Sequence, residues 1–194
     1  MRNKINTITS MLMLAIVACP FISNAEDISD PQFSDYQTMV GKGPFAKKII
    51  IGSREKSFSS NWQKKVQEEL KKPVNFAGHY RLYTTFGGQG IECSKEGWLC
   101  GWVIDKNSGK IVSQLPKDER GSNIYASIGD NGTPVGHPFE IDAYKDSTMV
   151  IVTGQVIPES KNSNDDPICK TAIFNFINNE FVKLTESPDG CKID

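Results

Sequence analysis

The sequence has only two histidines, His79 and His137, and its five cysteines include no C-x2-C pair. The ligand spacing of a structural zinc site is therefore missing. A G-x-S-x-G nucleophile elbow, an H-E-x-x-H helix and a phosphate-binding glycine loop leading into a helix are missing too. "GGQG" at 87–90 falls between predicted strands, where its glycines serve a turn. Charge of one sign is also lacking, with 22 Lys and Arg against 23 Asp and Glu. Nucleic-acid surfaces are strongly basic, whereas the densest basic segment here, "KKVQEELKK" at 64–72, is interleaved with acids. Internal repeats and low-complexity tracts are absent, and neither a cofactor nor a metal is expected.

Long apolar runs are scarce as well. The best, Ile8 to Ala18, is shorter than the roughly 20 residues a membrane helix needs. With Arg2 and Lys4 before it, this run has the layout of a secretory signal. Ser23-Asn24-Ala25 offers small residues for cleavage after Ala25, and Pro20 breaks the signal helix upstream. The domain expectation is thus a signal peptide over 1–25 and one mature domain over 26–194, located in the periplasm. Ile16-Val17-Ala18-Cys19 also fits a lipobox, and the alternative is a lipoprotein held at the membrane through Cys19.

Either route removes Cys19 and leaves Cys93, Cys100, Cys169 and Cys191, an even set that predicts two disulfides in an oxidising compartment. Three pairings are possible. Locality favours Cys93 with Cys100 and Cys169 with Cys191, for about 2.5–3.5 kcal/mol each in the chain-entropy model; a Cys93–Cys191 crosslink would give about 4.7 kcal/mol.

Residues 26–43 are polar and turn-rich and predict an irregular lead-in. Ile49 to Ile51 is a candidate edge strand. A helix is expected over 61–71, with Ser60 and Gln63 as a capping box, Pro73 as its stop, and Trp62, Val66 and Leu70 as the buried face. Beyond Pro73 the pattern changes to period two. "NFAGHYRLYTTF" reads as a strand whose inner face is contested by Phe76, His79 or Tyr80, Leu82 and Thr84. Hairpins follow, turning at Asn107-Ser108-Gly109, Lys145-Asp146-Ser147 and Asn178-Asn179. The predicted fold class is α+β, mostly β: an antiparallel β-meander of successive hairpins with one amphipathic helix packed on a face.

The order "PVNFAGHYRL", a glycine- and cysteine-containing turn, "GWVIDKNSGKIVSQLP" and "DSTMVIVTG" resembles a group of small exported proteins of Gram-negative bacteria. The resemblance covers roughly Pro73 to the end and is sharpest over Asn75–Tyr80. That group has no established catalytic activity, so the resemblance implies a fold and a compartment, with a toxin-immunity or hydrolase-inhibitor character. The sequence departs from the pattern in the longer insertion between Cys93 and Cys100 and in the loop from Pro158 to Pro167.

Function then divides into three classes, one of which, a lipid-anchored envelope structural protein, requires lipidation of Cys19. An enzyme would use His79 as general base, oriented by Glu92 or Asp105, in a small periplasmic hydrolase. A binding protein would use the polar loops Ser127–Pro138 and Pro158–Pro167, with Asp130, Asn131, His137, Glu159, Asp165 and Asp166 as contact residues. A stapled β scaffold limits the entropy lost when such loops engage a partner. The expected function is therefore that of an inhibitor or immunity protein, and the expected partner is an envelope-targeting toxin or cell-wall hydrolase; no nucleic acid is expected.

Overall fold

The computed structural model describes residues 30–86, 92–93, 98–118, 121–126, 139–157 and 169–187. Among them are one α-helix, α1 (Ser60–Lys71), and eight strands. The first sheet contains β1 (Tyr80–Phe86), β2 (Trp98–Asp105) and β3 (Lys110–Gln114) as an antiparallel meander. The two-residue β4 (Tyr125–Ala126) pairs with the N-terminal end of β2. The second sheet is the meander β5 (Glu140–Ala143), β6 (Met149–Gln155), β7 (Cys169–Ile177) and β8 (Glu180–Glu186). The fold is α+β and mostly β, as the period-two pattern implies.

Side-chain alternation sorts the interior into two cores. From β2, Leu99 and Val103 join Leu82, Val150, Val152, Phe174 and Phe176 between the two sheets. Cys100, Trp102 and Ile104 point the other way and pack with Phe58, Trp62, Val66 and Leu70 under the helix. Both faces of β2 are covered, so its sequence reads as a continuous apolar run. Gly101 interrupts that run for a steric reason. A Cβ there would lie 2.8 Å from the Tyr83 carbonyl oxygen and 2.9 Å from Leu115.

The helix is capped one residue earlier than the capping-box pattern suggests. Ser59, not Ser60, accepts from the Trp62 amide, and Gln63 reaches back to the Phe58 carbonyl. Trp62, Val66 and Leu70 are buried as expected, and Glu69 is buried beside them. Glu69 bonds to Arg81 at 2.9 Å and to Lys72 at 2.5 Å. Burial alone would raise the Glu69 pKa, but the hydrogen bonds and charges of Lys72 and Arg81 outweigh it and hold the carboxyl below its ordinary value. Lys106, also buried, donates to the Leu70 and Lys72 carbonyls at the C-terminal end of the helix.

Two strand expectations change. Ile49–Ile51 forms no strand; Ile50 makes a single parallel bridge to Lys110, and Gln67 of the helix ties down the segment by bonding to the Ile49 amide and the Lys47 carbonyl. The Asn75–Tyr80 motif is a tight turn that enters β1 only at Tyr80, with Ala77 and Gly78 at φ 43° and 83°. The turn forms because its amides find partners outside a ladder. Ala77 and Gly78 donate to carbonyls of the β5–β6 turn, and the Gly78 carbonyl accepts from Gly41 of the lead-in.

Asn75 completes this junction by acting as a strand surrogate. Its side chain donates to the Leu82 carbonyl at 2.9 Å and accepts from the Leu82 amide at 2.8 Å, closing part of the outer edge of β1. Asn75→Ala is expected to cost about 1–3 kcal/mol in urea unfolding, because it leaves two backbone groups unpaired. Asn75→Asp keeps only the acceptor and should recover part of that loss.

Candidate functional site

The register of the two sheets gathers three separate connections at one end of the domain. The connection 87–97 leaves from Phe86 and returns at Trp98, and Phe86 pairs with Leu99 of β2. Trp98 in turn pairs with Ala126, the residue from which 127–138 departs. Tyr125 bridges to Val156, and the Ile157 amide donates to the Ile124 carbonyl, so 158–168 starts alongside. On the return side, Glu140 pairs with Thr153 and Cys169 with Gln155. Connections far apart in sequence thus share a contiguous root.

That root is packed rigidly. The rings of Tyr125 and Phe139 lie 4.7 Å apart, and both close over Gly154, where an added Cβ would meet each ring at 3.1 Å. The Tyr125 hydroxyl is buried, which pushes its pKa up, and it donates to the Pro116 carbonyl. Cys93 and Cys100 form a disulfide with Cα atoms 5.5 Å apart, tying the 87–97 connection to β2. Cys169, at the end of 158–168, is also disulfide-bonded. Cys191, the partner expected for it, lies outside the described residues.

A cleft of about 420 Å³ opens at this end, between the N-terminus of α1 and the end of β1. Ser59, Trp62, Lys65, Tyr83, Phe86 and Glu92 are among the residues lining it. The ring-bearing Phe86 is 63% exposed. Glu92 is buried, and its carboxylate accepts from the Ser59 amide and hydroxyl. The helix N-terminus thus already has an acid of the chain itself as its partner.

His79 does not meet Glu92, and its surroundings are those of the turn junction. Its Nε2 lies 3.5 Å from Asp105 Oδ1, and its ring packs on Tyr80 at 4.1 Å. Asp105 is engaged by its own hairpin turn, accepting from the Asn107 amide at 2.9 Å and the Ser108 hydroxyl at 2.5 Å. His79 lines neither described cleft. Asp130, Asn131, His137, Glu159, Asp165 and Asp166, the contact residues expected from sequence, lie outside the described residues. What the structure adds to them is the common root of their loops, a signal carried only by strand register. Comparison with known proteins found no matching family model, no similar curated protein and no similar solved structure.

Proposed function

We propose that the protein is an exported, periplasmic binding protein, an inhibitor or immunity protein directed at an envelope toxin or cell-wall hydrolase. The observation that carries this reading is the convergence of the roots of 87–97, 127–138 and 158–168 on one disulfide-tied end of the two sheets. A rigid scaffold bearing several adjacent connections is the arrangement in which loops recognise a partner with little ordering cost. The acids of the last two connections, Asp130, Glu159, Asp165 and Asp166, would complement a basic enzyme surface. Exposed Phe86 beside the cleft supplies an apolar anchor at the same end.

The test is a binding and inhibition assay of the purified protein against a panel of envelope hydrolases and toxins, together with deletion of the gene. A stable complex and sensitised cells are expected. Exchanging 127–138 or 158–168 for a glycine-serine linker should weaken the complex at least 100-fold, equivalent to about 2.7 kcal/mol. Absence of both a complex and sensitivity would end this reading.

A further inference from the structure

A second surface has a different character. Residues 42–72 hold nine of the chain's 22 cations but only three of its 23 acids. Along the sequence the acids look interspersed, yet the structure removes most of their effect. Glu69 is buried against Arg81 and Lys72, Glu55 is half-buried, and only Glu68 is exposed, 3.9 Å from Lys65. Lys47, Lys48, Arg54, Lys56, Lys64 and Lys71 are all exposed and have no carboxylate partner among the described residues. They belong to one layer, because α1 and the segment before it cover the same face of the first sheet. Ile49 and Ile51 pack on the core beneath the helix, and Gln67 binds the backbone at both Lys47 and Ile49.

We propose that this layer is a docking face for an anionic phospholipid surface. Five of these six cations are lysines, compact charges suited to a diffuse field of phosphates; bidentate recognition of a single carboxylate or phosphate favours arginine. Ile50, two residues from Lys48, is 52% exposed within the same layer, an apolar side chain placed to enter the headgroup region. The remaining chain carries the excess of acids, so the molecule would orient with this layer toward a negative surface. The inference does not depend on the inhibitor reading.

The experiment is sedimentation of the protein, in its natural processed form, with vesicles of phosphatidylglycerol and phosphatidylethanolamine at physiological salt, with neutral phosphatidylcholine vesicles as reference. Binding to the anionic vesicles alone is expected, falling steeply as salt is raised. The triple variant Lys48→Gln, Lys64→Gln, Lys71→Gln should bind about 100-fold more weakly, since each lysine near such a surface contributes roughly fivefold. A matched triple at exposed lysines elsewhere, Lys117, Lys145 and Lys183, should bind nearly as the parent does. Equal losses in the two triples would overturn the proposal, as would binding to soluble polyglutamate without binding to vesicles. Thermal melts of both triples establish that the fold is intact.

Discussion

Glu69→Gln is expected to lower the unfolding free energy by about 3–5 kcal/mol, because it leaves the Arg81 guanidinium without its carboxylate at a largely buried site. Arg81 reaches Glu69 through two nitrogens, each 2.9 Å from the same oxygen, and Lys72 holds the other oxygen. The pH dependence follows from the depressed pKa of the folded state. The stability that Glu69 contributes is complete above the ordinary glutamate value of 4.5 and is lost as pH falls through the lower folded value. Urea unfolding between pH 7 and pH 2.5 should therefore show a smaller acid-side loss in Glu69→Gln than in the parent. A Glu69→Leu, Arg81→Met double variant removes both charges and should recover much of the stability at pH 7. A double variant as weak as the single one would show that shape, not charge pairing, governs the site.

Trp102→Ala should cost a similar amount, about 3–5 kcal/mol, with a melting temperature lower by roughly 10 °C. Trp102 is fully buried in an aromatic cluster, with ring centroids 5.2 Å from Trp62, 6.0 Å from Tyr83 and 6.4 Å from Phe58. It joins the helix to the sheet, so alanine leaves a cavity at the centre of that layer. Trp102→Phe should cost far less than the lost volume implies. The indole N–H groups of Trp102 and Trp62 are buried with no hydrogen-bond partner among the described residues. Phenylalanine removes that desolvated polar group along with the volume. Calorimetry of both variants checks the contrast, and equal losses would refute it.

The parts of this fold legible in sequence are those set by local chemistry. Pro73 stops the helix, the spacing of Trp62, Val66 and Leu70 marks its buried face, and Asn178-Asn179 supplies two residues at positive φ for the last hairpin. Glu69 shares that spacing, but its burial depends on Arg81, a partner on another element. The Asn75–Tyr80 stretch reads as a strand because it alternates. Contacts to residues 41 and 144–147 turn it into a corner, and no local pattern carries that information. The candidate site was legible only as two polar loops. Their common root rests on the Trp98–Ala126 and Tyr125–Val156 pairs, formed across long stretches of chain.

The lead-in has a consequence for the order in which the molecule assembles. Ser147 and Thr148 donate to the carbonyls of Phe33 and Tyr36, over sequence separations of 111 to 114 residues. Synthesis delivers the N-terminal side first, so Phe33–Tyr36 emerges long before the turn that holds it exists. Until then it has only local contacts, and its docking must follow formation of the β5–β6 hairpin. A nascent chain truncated before residue 147 should leave this segment open to protease, whereas one extended through β8 should protect it. The first described residues of the chain would thus be among the last to reach their final positions.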